Sequence, residues 1–160
     1  MSEKMKVLVA NRGEIAVRIL RSCKELGIRS VAVYSEGDEN ALHTRFADEA
    51  VCIGPVAANL SYLNIPSVLD AMQTTRADAV HPGYGFLSEN PAFARAVQDN
   101  GKIFVGPRAE TIALTGDKLE ARRVAREAGL PVLSGSDGPI ASEIPDGMAE
   151  NIRYPILIKA

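Results

Sequence analysis

The chain has 160 residues, enough for one ordinary domain, and 46% hydrophobic with 24% charged residues exclude a disordered or collagen-like protein. Eighteen basic against 20 acidic side chains leave a formal net charge of −2, without the basic excess of a non-specific nucleic-acid binder. With no Trp, four Tyr and four Phe, a base-stacking platform is excluded as well.

Residues 6–10 read as a buried strand, too short for a signal-peptide core, and no stretch approaches the ~20 apolar residues of a membrane span. Residues 14–26 read as a helix with Ile15, Ile19, Cys23 and Leu26 on one face, ended by Gly27. A β-branched strand follows at 29–34, closed by the polar turn 35–40, and a short third strand at 50–53 ends at Gly54-Pro55. Residues 65–75 read as a helix with Pro66 in its first turn, where a missing N–H costs nothing. A strand at 78–80, a helix at 90–100 and a strand at 103–105 repeat the rhythm. Strands alternating with helices imply right-handed βαβ units and a parallel sheet covered on both faces.

Near residue 107 the rhythm changes, giving an expected division into 1–107 and 108–160. Residues 108–115 and 118–128 read as consecutive helices, 134–139 as turn chemistry, 144–153 as undecided and 155–159 as a strand. That last strand has no partner before Ala160, so the expectation is a fragment of a larger domain. Cys23 and Cys52 lack metal-ligand spacing and disulfide density, which suits a reducing compartment, and both read as core residues. A cytoplasmic domain is the expectation.

Several residues stand out chemically. The turn Ala10-Asn11-Arg12-Gly13-Glu14 opens a helix, where backbone N–H groups attract anions, and Glu36 and Asp38 follow the second strand. A dinucleotide fingerprint needs three glycines and this turn has one, so Asn11 as helix cap with Glu14 three residues on is the simpler reading. Glu14, Arg18, Arg21 and Glu25 share a second helix face, which as a solvated stripe is worth only ~0.2–0.5 kcal/mol per pair. The segment from His81 to Asn90, with Gly83 and Gly85 bracketing Tyr84, follows a strand and precedes a helix, where ligands sit in such sheets; the alternative is a tight surface loop in which Ser88 or Asn90 caps the next helix and His81 is a satisfied polar residue. Lys118 starts a helix behind Asp117, where a cation opposes the helix dipole unless an anion is held nearby. Lys159 ends the apolar run Ile156-Leu157-Ile158, so its head emerges toward solvent or a phosphate.

Taken together these segments resemble the N-terminal part of biotin carboxylase, the ATP-dependent module of acetyl-CoA, propionyl-CoA and pyruvate carboxylases. The carriers are Ala10-Asn11-Arg12-Gly13-Glu14-Ile15-Ala16, Arg18-Ile19 and His81-Pro82-Gly83-Tyr84-Gly85-Phe86-Leu87-Ser88-Glu89-Asn90. Gly106-Pro107, Gly116-Asp117-Lys118, Gly135-Ser136-Asp137-Gly138-Pro139 and Tyr154-Pro155 leading to Ile158-Lys159-Ala160 follow in family order. The resemblance implies a Rossmann-like domain over 1–107, then linker helices and the start of an ATP-grasp domain over 108–160. It implies a ligase in which ATP and bicarbonate form carboxyphosphate and the carboxyl group passes to biotin on a carrier protein. Lys118 and Lys159 would contact ATP, Tyr84 and Gly85 would line the rim of the biotin and bicarbonate site, and Arg21 and Glu25 would lie in a homodimer contact. A carboxyltransferase component, which selects the final acceptor, would be a further partner.

Arg153 stands where the family usually has glycine, and the stretch 141–151 is shorter than usual. The family's glycine-rich loop, its acidic ligands for Mg2+ or Mn2+ and its catalytic arginine would follow Ala160. No catalytic residue or metal ligand is therefore expected here, and the chain alone is expected to be inactive. Two other readings stay open at this point: the first domain of another ATP-grasp ligase, and a stand-alone assembly domain without activity.

Overall fold

The structure is a computed structural model describing residues 5–133 and 135. It contains two compact units, residues 1–113 and 114–160. The readings at 136–139, 144–153 and 155–159 lie outside the described residues, as does Lys159.

The first unit is built on a five-stranded parallel sheet: β1 (Lys6–Val9), β2 (Arg29–Tyr34), β3 (Glu49–Cys52), β4 (Ala79–His81) and β5 (Ile103–Phe104). Their spatial order is β3-β2-β1-β4-β5. The chain therefore moves outward from β1 to β3, returns to lay β4 on the other side of β1, and continues to β5. In register, Leu8 faces Val31 on one side and Val80 on the other.

Alternation along these central strands feeds two apolar layers. Leu8, Val31, Val33 and Val80 point into the larger core, with α3 (Ile65–Thr74) and α4 (Pro91–Asp99). Val7, Val9, Ala32 and Ala79 face the opposite side, against α1 (Gly13–Glu25) and the segment around α2 (Leu42–Phe46). Each such valine or leucine, fully buried, contributes roughly 1.5–3 kcal/mol. Phe93 packs edge-on against Phe104 with centroids 5.8 Å apart. Ala109 and Ile112 from α5 (Ala109–Gly116) close this core.

At the α3 and α4 starts, Asn64 and Asn90 accept from the N–H groups of Ser67 and Phe93 at 3.2 and 3.1 Å, each helix with Pro in its first turn; of the two caps, Asn90 is the expected one. Two expectations are corrected. The buried face of α1 is Ala16, Val17, Leu20 and Cys23, while Leu26 is 73% exposed. Leu26 is the C-cap, where the chain already turns into Gly27 at φ +67°, so helical spacing no longer applies to it. Cys52 is exposed, because β3 is an edge strand; Cys23 is buried as expected. The polar turn at 35–40 holds a single 3-10 turn, Glu36–Asp38, and the short helix α2 follows it.

In the second unit, α6 (Lys118–Glu127) is capped by Asp117, whose Oδ1 accepts from Leu119 and Glu120 N–H at 2.9 and 3.1 Å. Glu120 turns its carboxylate to Arg123 at 2.8 Å, and Arg123 also reaches Glu127 at 2.6 Å.

Candidate functional site

The order of the sheet reverses between β1 and β4, and ligands of open α/β sheets bind beyond the strand carboxyl ends at such a point. The Ala10 N–H donates to the His81 carbonyl at 2.9 Å, prolonging this pair by one rung. Two turns then leave side by side: Asn11-Arg12-Gly13 from β1 and Pro82-Gly83-Tyr84-Gly85 from β4.

Asn11 joins them. Its side chain does not cap α1 as expected; Arg12 is the N-cap residue and makes no side-chain cap bond. The Asn11 amide instead donates to the carbonyls of Pro82 at 2.8 Å and Tyr84 at 2.9 Å, and its Oδ1 accepts from the Arg12 N–H at 2.9 Å. Asn11 is 3% exposed, so these bonds compete with little water. His81 Nδ1 accepts from the Gly83 N–H at 3.0 Å. Burial lowers the pKa of His81, favouring the neutral ring that this acceptor role requires.

The rest of the loop is equally fixed. Gly83 and Gly85 have φ of +66° and +70°, and Phe86 takes φ +43°, a left-handed backbone seldom adopted by a bulky residue. Phe86 stacks on Tyr62 with centroids 5.1 Å apart, and Leu87 is buried. Tyr84, in contrast, is 66% exposed, and a Cβ built on Gly85 would meet nothing within 4 Å. A rigid loop thus presents one exposed aromatic ring beside an open glycine.

A polar cluster supports it. The Arg12 guanidinium lies over Tyr62 at 5.2 Å and Phe86 at 5.5 Å from their centroids and pairs with Asp38 at 3.3 Å. Asp38 Oδ2 also accepts from Tyr62 Oη at 2.7 Å and Ser35 Oγ at 3.1 Å. Burial by itself would raise the pKa of Asp38; hydrogen bonds from Tyr62, Ser35 and Arg12 outweigh it and hold the carboxyl below its usual range. The acid after the second strand, which in a dinucleotide-binding unit would reach a ribose, is here engaged by its own chain.

The family model described as "Biotin carboxylase, N-terminal domain" matches residues 3–112. The chain belongs to this family. It is 54% identical over 157 residues to a biotin carboxylase of Haemophilus influenzae, covering 97% of this chain and 35% of that protein. Among solved structures, the biotin carboxylase domain of a thermophilic 2-oxoglutarate carboxylase bound to bicarbonate superposes with a TM-score of 0.86 at 48% identity, covering 97% of this chain and 35% of that one. A biotin carboxylase domain dimer of the Hydrogenobacter thermophilus 2-oxoglutarate carboxylase, in complex with MgADP, ADP and bicarbonate, gives a TM-score of 0.80 at 48% identity, over 85% of this chain and 30% of that one. The chain thus spans about a third of the length of such relatives.

Within this biotin carboxylase segment the expected residues fall in three places. Tyr84 and Gly85 stand on the rigid loop at the switch point. Arg21 and Glu25 lie on the exposed face of α1, with the Arg21 guanidinium 5.3 Å from the Phe46 ring centroid. Lys118 is exposed at the first position of α6, in the second unit. Asn11, Arg12, Tyr62 and Phe86 complete the switch-point cluster; the sequence marks Asn11 as a cap and, with Arg12 and Phe86, as part of the family motifs, and Tyr62 carries no sequence signal.

Proposed function

We propose that this chain is the N-terminal part of a biotin carboxylase, an ATP-dependent ligase that makes carboxyphosphate from ATP and bicarbonate and carboxylates biotin on a carrier protein. The observation that carries this reading is the run 81–90, which the chain holds rigidly at the switch point while leaving Tyr84 and Gly85 open. Under it, Tyr84 and Gly85 form the rim of the biotin and bicarbonate site. Residues 1–107 form the Rossmann-like domain and 108–160 lead into an ATP-grasp domain. The complexes of the Hydrogenobacter relative with MgADP and bicarbonate support the choice of substrates. That relative's description as a dimer supports a homodimer with Arg21 and Glu25 in the contact. A carboxyltransferase component would take the carboxyl group onward, in the cytoplasm.

Among the described residues no three of His, Cys, Asp and Glu converge to hold a metal ion. What this segment supplies is positioning and charge. The test grafts the chain into the Haemophilus enzyme in place of its matching segment. Bicarbonate- and biotin-dependent ATP hydrolysis is expected; a folded chimera whose hydrolysis ignores both substrates would refute the reading.

The two lysines give a further expected result. Lys118 tolerates a position where a cation costs a few tenths of a kcal/mol, consistent with reaching a nucleotide phosphate. In the complete enzyme Lys118→Ala and Lys159→Ala should each raise the KM for ATP about ten- to a hundredfold, since a charge-assisted hydrogen bond is worth about 1.5–3 kcal/mol. Steady-state kinetics with unchanged ATP parameters in both would remove them from the site.

A further inference from the structure

We propose that Asn11 is a positioning residue for the loop 82–85, fixing where Tyr84 and Gly85 stand relative to bound biotin; this rests on the biotin carboxylase reading above. Three observations carry it. First, both amide hydrogens of Asn11 are spent on carbonyls that flank Gly83, those of Pro82 and Tyr84, at 2.8 and 2.9 Å. Second, Asn11 is 3% exposed and its own Oδ1 is held by the Arg12 N–H, so the amide group can neither rotate nor trade these partners for water at low cost. Third, the contact is too tight for a side chain on the loop: a Cβ on Gly83 would fall 2.7 Å from Asn11 Nδ2 and 2.8 Å from Ile15 Cγ2.

The chemistry selects this residue type. Two carbonyls held from one short side chain need a group with two donors on a single nitrogen. Asp offers none when ionised, Ser offers one, and Gln adds a methylene for which this packing has no room. Arg12, itself anchored by Asp38, then grips the far end of the same loop through the Phe86 ring. Consecutive residues of the β1 turn thus hold the β4 loop at both ends, and its one exposed side chain is Tyr84. Displacing a substrate-positioning group by about 1 Å can cost on the order of a hundredfold in rate. A contact that only held the domain together would instead act on folding, without choosing between substrates.

The experiment uses the complete enzyme carrying this segment, with free biotin as the probe. In Asn11→Asp the KM for biotin should rise by about tenfold or more, while the KM for ATP stays within about twofold, because this loop carries the residues read as the biotin-site rim and neither lysine read as an ATP contact. The near-isosteric carboxyl would face two carbonyl oxygens, and both desolvation and the lone-pair repulsion favour its protonated form. That form regains one donor, so the activity of the variant relative to wild type should increase as pH is lowered from about 8 to about 6. Gly83→Ala pushes on the same contact from the other side and should reproduce the biotin-selective change.

An inactive unmodified enzyme would refute the function reading and take this inference with it. An active enzyme in which the biotin and ATP constants move together, or neither moves, would overturn the inference alone. So would failure of both variants to fold, since the contact would then serve the fold rather than aim the loop.

Discussion

Tyr62→Phe should destabilise the first unit by about 3 kcal/mol, although it removes one oxygen atom. Tyr62 is 1% exposed, and its hydroxyl does two jobs. It donates to Asp38 Oδ2 at 2.7 Å and accepts from the N–H of Ser35, itself 0% exposed, at 3.1 Å. Deleting it strands a buried backbone donor, at about 1–3 kcal/mol, and strips a carboxylate of a hydrogen bond worth about 1.5–3 kcal/mol. The two losses share one atom and are not additive. Urea denaturation at neutral pH measures the result; a loss under about 1 kcal/mol would mean that water replaces the hydroxyl.

The same substitution has a pH signature with a fixed sign. Burial, then the hydrogen bond to Asp38, push the Tyr62 pKa up to about 12 from an ordinary value of 10. Between those values the unfolded chain sheds the proton while the folded chain keeps it. The unfolded state then binds fewer protons, and stability falls as pH rises through this window. Below pH 10 this contribution is fully present. Asp38 works on the acid side: its lowered pKa adds stability above the unfolded carboxyl value, lost as pH falls through the folded one. Tyr62→Phe should flatten the alkaline limb of stability against pH and shrink the acid limb with it.

What the sequence discloses about this molecule follows the range of its interactions. The strands and the long helices are legible because their causes are local: an apolar run, a 3.6-residue period, Asn or Asp before a first turn. α3 is expected at 65–75 and spans Ile65–Thr74, and α6 is expected at 118–128 and spans Lys118–Glu127. α2 escapes because Leu-His-Thr-Arg-Phe is too short to show a period. Its one buried residue is His43, which sits under the sheet and meets the Val33 carbonyl at 3.1 Å. A lone histidine in a polar stretch gives no sign of being interior.

At the site the division is sharper. Pro-Gly and Gly-x-Gly mark the β4 loop in sequence, because positive φ has a local cause in glycine. Asn11 looks like a cap for an equally local reason: asparagine before a helix usually is one. The partners of its amide nitrogen lie 71 and 73 residues along the chain and become neighbours only once β4 returns beside β1. The Arg12, Asp38, Tyr62 and Phe86 cluster is of the same kind, assembled from four separate segments.

The exposed stripe of α1 leads to the second large effect, the loss of assembly in Arg21→Glu. With Ala16, Val17, Leu20 and Cys23 turned inward, Arg21 and Glu25 are exposed one helical turn apart. Arg21 does not wave freely. Its guanidinium rests on the Phe46 ring at 5.3 Å, a contact worth about 0.5–1 kcal/mol at an exposed site, which pre-orders it. In a two-fold contact the same stripe meets itself, so an arginine–carboxylate pair formed across it occurs twice, once from each protomer. In solvent such pairs are worth about 0–1 kcal/mol, and reversing one charge would then change little. Where the interface buries the pair, removing one partner costs about 3–5 kcal/mol, and the reversal adds repulsion between like charges. Arg21→Glu should therefore shift the complete carboxylase module toward monomer at micromolar concentration. The stability of each protomer should fall by no more than the lost ring contact. Sedimentation velocity gives the first quantity and urea denaturation the second. A variant as dimeric as wild type would leave the stripe a solvated face and place the dimer contact elsewhere.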